Sequence, residues 1–168
     1  MMRWWVALAA LAALVTGSSV PCSELHRELR YPCRCSPAED GIHMDCDRVV
    51  FPGDLPALPY RAPVISFRQR WAGHQALPTQ AFTASSLPLR ILDFSGNSLR
   101  RLTDRLLQGL QTTLQELRLA DNLLGDNLNP IFSSSEFHGL SRLKLLDLSG
   151  NLIKGIEEGI LKGCENLQ

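Results

Sequence analysis

The chain has 168 residues, of which 45% are hydrophobic and 20% charged, a composition that suits one globular domain and excludes a disordered chain. Lys and Arg together number 17, as do Asp and Glu, so the formal charge is zero. Because a neutral chain creates no net field that attracts polyanions, we expect no nucleic-acid partner.

Residues 1–20 have the composition of an export signal. A positive start at Arg3 precedes an apolar run over residues 4–15, and small residues follow at 16–19. This order is typical of a secretory signal peptide, with cleavage expected between Gly17 and Pro21. A membrane-spanning helix needs about 20 apolar residues, more than this run contains. We therefore predict a secreted, extracellular chain without a membrane span of its own; attachment through a later region stays open.

Residues 21–50 contain a cluster of four cysteines: Cys22, Cys33, Cys35 and Cys46. In an oxidising compartment such a cluster indicates a disulfide framework. A Cys33–Cys35 bond would strain the short ring, so two connectivities remain: 22–33 with 35–46, or 22–35 with 33–46. A zinc site is disfavoured because the closely spaced cysteine pairs typical of zinc are missing. We predict a disulfide cap that ends in a short strand over residues 44–50.

Residues 51–88 are rich in proline, which excludes long helices. Residues 64–67 have the β-branched and aromatic character of a strand. Leu77 and Phe82 have the spacing of residues that fill a core from the opposite side. We predict one or two degenerate repeats here, with Arg70 or Trp71 at the place where the later repeats carry asparagine.

Residues 89–168 repeat one pattern three times: Leu89-x-x-Leu92-x-Phe94-x-x-Asn97-x-Leu99, Leu114-x-x-Leu117-x-Leu119-x-x-Asn122-x-Leu124 and Leu143-x-x-Leu146-x-Leu148-x-x-Asn151-x-Ile153. This pattern is identified as the leucine-rich repeat. It predicts an α/β repeat solenoid, a horseshoe with short parallel strands on the concave face and irregular or short helical convex segments. We expect Ile156, Leu161 and Cys164 to fill the core from the convex side of the third repeat.

The asparagines of the repeats, Asn97, Asn122 and Asn151, are predicted to form a structural ladder. A polar side chain at a core-facing position costs about 1–3 kcal/mol unless it has partners. An amide can satisfy backbone groups of its own turn and of the next one. We therefore assign these residues to the scaffold and not to a binding site.

Side chains that flank the inward leucines are the candidates for recognition. We select four charged residues of the concave face: Arg90, Glu116, Arg118 and Lys144. The repeat register places Arg118 between Asp93 and Asp147 on neighbouring strands, about 4.8 Å per step. Two interpretations stay open, a charge ladder that supports the strands and a polar stripe that recognises a partner.

The cysteine cluster followed by these repeats resembles the extracellular leucine-rich repeat family with an N-terminal cysteine cap, which includes Slit, the Toll receptors, chaoptin-like adhesion proteins and the small matrix proteoglycans. The resemblance implies the pairs Cys22–Cys35 and Cys33–Cys46, each contributing about 2–4 kcal/mol. It also implies a C-terminal cysteine cap. Because the chain stops at Gln168 as a repeat opens, we expect a piece of a longer protein.

The function indicated is protein recognition, in the N-terminal part of a cell-surface adhesion or signalling receptor with a protein ligand. A secreted matrix or structural protein is the alternative, and homophilic contact stays open. No H-E-x-x-H, G-x-S-x-G or glycine-rich phosphate loop occurs, and the four histidines have no metal-ligand spacing: His26, His43, His74 and His138. We predict no enzyme, with no catalytic residues, no cofactor and no metal.

Overall fold

A computed structural model describes residues 18–29, 31–51, 55, 58, 63–77, 82, 88–103, 105–125, 137–156 and 158–168. Most of the predicted signal peptide lies outside the described residues, as do residues 126–136 of the second repeat. Within them the chain forms seven strands and one helix: β1 Val20–Pro21, α1 Cys22–Leu25, β2 Arg34–Ala38, β3 Gly41–Asp45, β4 Val64–Arg68, β5 Ile91–Asp93, β6 Glu116–Arg118 and β7 Leu145–Asp147.

The strands form one sheet whose spatial order is the order of the chain. β1, β2 and β3 pair in antiparallel fashion, and β3 to β7 pair in parallel. The strand expected over residues 44–50 instead runs from Gly41 to Asp45. It starts after the short turn at Glu39 and Asp40, and it ends where the Asp45 carboxylate accepts a hydrogen bond from Asp47 N at 2.9 Å.

The repeats stack as the solenoid that the leucine pattern predicts. The register aligns the inward residues Phe67, Leu92 and Leu117, all fully buried. Phe67 also packs against Phe82 and Phe94, with ring centroids 6.4 and 5.9 Å apart. Inward packing between equivalent positions therefore links each coil to the next, which is how a solenoid buries its core.

The convex segments in the described residues are turns without α-helix. In the third repeat Cys164 is buried as predicted, and its thiol lies 3.6 Å from Phe137 O. The prediction for Ile156 is wrong, because its side chain is 43% exposed, and Leu161 is only partly buried. Ile160 is buried instead, at 5% exposed, so it and Cys164 are the residues of this segment that fill the core.

The cap is closed by two disulfides, Cys22–Cys35 and Cys33–Cys46, with Cα–Cα distances of 4.7 and 4.6 Å. These are the pairs that the family resemblance implies. All four cysteines are buried with Leu29 in the same core cluster as the repeats. The cap thus covers the first coil and continues its sheet.

Each of the three asparagines links two coils. Asn97 Oδ1 accepts from Ala72 N at 3.0 Å, and Asn122 Oδ1 accepts from Leu99 N at 3.0 Å. Asn151 Oδ1 accepts from Leu124 N at the same distance. Their Nδ2 groups donate to carbonyls of their own turn and of the preceding coil.

The coil of β4 lacks this asparagine. The register places Ala72 at that position, one residue beyond the expected Arg70 or Trp71. Gln69, which is fully buried, links the coil to the cap instead: its Nε2 donates to Val49 O at 2.8 Å. No helix in the described residues combines the length and apolar character needed to cross a membrane.

Candidate recognition surface on the concave face

The concave face consists of the residues on either side of each inward side chain in β3 to β7. Cross-strand register arranges them in two rows. The first row is mixed: His43, Ser66, Ile91, Glu116 and Leu145. The second row, which we call the charged row, alternates in sign across five strands: Asp45, Arg68, Asp93, Arg118 and Asp147. The predicted position of Arg118 between two aspartates is part of this longer alternation.

Arg118 pairs most closely within its own strand. Its Nη2 donates to Glu116 Oε2 at 2.8 Å, and both side chains are partly exposed. Its Nε is buried and has no hydrogen-bond partner in the described residues. The guanidinium is therefore held at one end while part of its donor capacity stays unused.

The aspartates of the charged row close the turns that follow their strands. Asp93 Oδ1 accepts from Ser95 N and Asp147 Oδ1 accepts from Ser149 N, both at 3.0 Å. The hydroxyl and the N–H of Ser149 lower the pKa of Asp147, and Arg118 adds a smaller contribution. These carboxylates serve their own turns first, so the row is more than a set of ion pairs between strands.

The other two predicted residues lie apart from Glu116 and Arg118. Arg90 Nη1 contacts Asp40 Oδ2 at 2.5 Å, which directs its side chain towards the turn of the cap. Lys144 is exposed at the residue before β7. The structure therefore brings together two of the four predicted residues and places the others at the margin of the same face.

A groove beside the cap contains residues that the sequence did not single out. It has a volume of about 540 Å³ and lies where β2, β3 and β4 adjoin. Eight of its eleven lining residues are polar or charged, and the full set is Ser19, Pro32, Arg34, Ser36, His43, Met44, Asp45, Asp47, Val49, Ser66 and Arg68. Aligning residues 64–68 with residues 89–93 would have placed Ser66 and Arg68 on the concave face, but the match lacks the repeat's asparagine.

A tryptophan stands at the edge of this face, just beyond the charged row. Trp71 is 52% exposed, and the guanidiniums of Arg70 and Arg48 lie 4.8 and 5.7 Å from its ring centroid. Arg70 forms an ion pair with Asp47, whose other carboxylate oxygen accepts from Arg70 N at 2.9 Å. The indole is thus held between two cations, one of which is clamped by a carboxylate.

The histidines differ in environment. His74 is partly buried, with its ring edge-on to Phe94 and its Nε2 without a hydrogen-bond partner in the described residues, and burial lowers its pKa. His43 lines the groove. Across the described part of the chain, no group of three or more His, Cys, Asp or Glu side chains could hold a metal ion.

Comparison with known proteins agrees with the repeat geometry. Residues 142–167 match the family model for the Leucine Rich Repeat. Toll-like receptor 9 of Bos taurus is 36% identical over 127 residues, which are 75% of this chain and 11% of the receptor. Toll-like receptor 9 of Felis catus is 41% identical over 70 residues, 42% of this chain and 6% of the receptor. The chain therefore spans about a tenth or less of the length of these relatives.

Proposed function

Because the chain is a leucine-rich repeat protein with a disulfide-bonded N-terminal cap, we propose that it is the recognition part of a cell-surface receptor for adhesion or signalling. Its ligand is an extracellular protein that lies across the concave face. The observation that carries this proposal is the charged row, in which ionic groups of both signs are partly exposed on four of five adjacent strands and Asp93 is buried. Ordered charges of alternating sign select a partner and fix its register more than they add raw affinity.

Arg118 is the central residue of the proposed contact. It lies in the middle strand of the repeats, is fixed by Glu116 and has a side chain that is 40% exposed. Arginine is enriched among the residues that dominate binding energy at protein interfaces. Arg90, Glu116 and Lys144 complete the polar contacts around it, and Leu145, which is 36% exposed, supplies an apolar one.

The comparisons support the class of function. Both relatives are named as receptors. Repeat solenoids in general use an extended surface to bind other macromolecules, and no part of that mechanism requires catalysis. We infer that the chain acts by binding and has no catalytic role.

The proposal is tested with the full chain, expressed by secretion and displayed as a tetramer over an array of purified extracellular domains. Arg118→Glu is compared with Arg105→Glu, since Arg105 is exposed on the segment that returns between β5 and β6. We expect to find partners that bind the native chain and the Arg105 variant but do not bind the Arg118 variant. If every partner binds the two variants equally, the concave face is not the site and the proposal fails.

A further inference from the structure

The coils of β3 and β4 differ from the later coils in the residue type at one position, which lies three residues after the charged row. The residues at this position are Arg48, Trp71, Gly96, Asp121 and Gly150, and all have a left-handed backbone, with φ of 60, 53, 70, 53 and 64°. Glycine and aspartate adopt this conformation readily, whereas bulky side chains do so at a cost. The last three coils carry the residues that the turn favours, and the first two carry an arginine and a tryptophan.

The neighbouring coil is shaped to receive the indole. A Cβ added at Gly96 would lie 2.3 Å from both Cδ1 and Nε1 of Trp71, so the absence of a side chain at residue 96 leaves room for the indole. Arg48 is fixed next to it because its N–H donates to Arg70 O at 2.7 Å. Residues with a strained backbone that the surrounding structure holds in place cluster at functional sites.

The adjoining groove offers donors that lack partners. Arg68 has no carboxylate oxygen within 4.0 Å and no side-chain hydrogen bond in the described residues, and the same holds for Arg48. The hydroxyl of Ser66, which is 1% exposed, lines the groove without a partner. The nearby carboxylates are engaged: Asp45 accepts from Asp47 N, and Asp47 pairs with Arg70.

From these observations we propose that the groove and Trp71 form a subsite for an acidic side chain next to an apolar one, on an extended segment of the protein ligand. Arg68 and Ser66 bind the carboxylate, while Trp71, stacked with Arg48, contacts the apolar neighbour. The groove lining holds two arginines and two aspartates, but the guanidiniums of Arg68 and Arg48 have no acidic partner in the described residues and can pair with a carboxylate. We assign the subsite to a peptide and not to a sulfated glycan because the proposed ligand is a protein. This subsite deepens the proposed function and rests on it.

The fluorescence of Trp71 can report binding at the subsite. The chain has three tryptophans, and the other two, Trp4 and Trp5, lie in the predicted signal peptide. In a full chain carrying Trp4→Phe and Trp5→Phe, emission reports Trp71 alone. The probe is the acetylated peptide amide Leu-Glu-Leu-Asp-Leu, and the matched control is Leu-Gln-Leu-Asn-Leu, which differs only in charge.

We expect a saturable change in Trp71 emission with the acidic peptide and none with its neutral counterpart. Arg68→Gln should weaken binding at least fivefold, whereas Arg105→Gln should leave it unchanged. Equal responses to both peptides, or an unaltered affinity in the Arg68 variant, would overturn the subsite. So would a response to a heparin octasaccharide without one to the acidic peptide.

The affinity of the variants for the partners found on the array distinguishes failure of this subsite from failure of the proposed function. Trp71→Ala and Arg68→Gln should each weaken those partners by about tenfold while the melting temperature stays within about 2 °C of the native value. If Arg118→Glu abolishes binding and these two variants do not weaken it, the subsite is refuted and the proposed function stands. If the acidic peptide binds but no partner depends on Arg118, the function fails and the subsite stands.

Discussion

The replacement Asn122→Ala tests whether the asparagines hold the coils together. Asn122 is 4% exposed, accepts from Leu99 N at 3.0 Å, and donates from Nδ2 to Phe94 O, Leu119 O and Ala120 O within 3.1 Å. Alanine removes all of these bonds at once. We expect a clear loss of stability because the groups left behind are buried away from water.

The expected loss of stability depends on which hydrogen bonds each backbone group retains after the substitution. Phe94 O retains Asn97 Nδ2, and Leu119 O retains Asn151 Nδ2, so neither carbonyl is left without a donor. Leu99 N has no other acceptor in the described residues, and an unpaired buried N–H costs about 1–3 kcal/mol. With about 1 kcal/mol for the weakened carbonyl bonds, the loss is about 2–4 kcal/mol. For a chain of this length that lowers the melting temperature by about 5–15 °C.

Thermal unfolding followed by circular dichroism measures this effect directly. The matched control is Asn166→Ala, because Asn166 is exposed and, among the residues that the structure describes, its side chain bonds only Ser141 O. We expect the control to shift the melting temperature by less than about 2 °C. A melting temperature for Asn122→Ala within a degree of the native value would mean that the asparagines do not hold the coils together.

Three further predictions concern the cap, the turns and pH. Removing the Cys33–Cys46 bond by replacing both residues with serine should destabilise the chain by about 2–5 kcal/mol in urea unfolding. Gly125→Ala, with φ of 97° and its new Cβ 2.8 Å from Ile153 backbone atoms, should cost about 1–3 kcal/mol, against less than about 0.5 kcal/mol for Gly155→Ala, which has open space. Because burial lowers the pKa of folded His74 below the ordinary 6.5, its neutral form supports the fold above pH 6.5 and that contribution is lost as pH falls below 6.5.

Each of these has an outcome that contradicts it. Equal urea midpoints for the serine double variant and the native chain would mean that the Cys33–Cys46 bond does not contribute to the stability of the solenoid. Equal losses for the two alanine variants would mean that the Gly125 turn yields without cost. If His74→Gln leaves the fall in stability between pH 6.5 and 5 unchanged, another group is responsible for it.

The sequence was most informative where contacts repeat. Leucines spaced by the repeat placed the strands and their inward residues, because every coil packs the same positions against the next one. Asn97 and Asn122 were recognisable for the same reason, since a polar residue at a fixed core position needs fixed partners. The cysteines could be assigned to a cap from their spacing and from the family resemblance.

The site was less predictable because it depends on the irregular coils. Arg68 and Ser66 join the concave face through pairing of β4 with β3 and β5, yet their coil has Ala72 in place of asparagine. Trp71 takes its place through a left-handed turn and through Gly96 of the next coil, which leaves room for the indole. Contacts between coils, such as Arg90 with Asp40, depend on side-chain directions that the repeat pattern leaves open.

Whether the concave face binds the ligand is tested most directly by surface plasmon resonance. The quantity measured is the dissociation constant of a protein partner found on the array, for Arg118→Glu and for Arg105→Glu. If the concave face is the binding surface, the Arg118 variant binds at least tenfold more weakly while its melting temperature is unchanged, and the Arg105 variant binds as the native chain does. Equal affinities for the two variants would exclude the concave face around Arg118 as the site, and a larger loss from Arg105→Glu would place the site on the convex side.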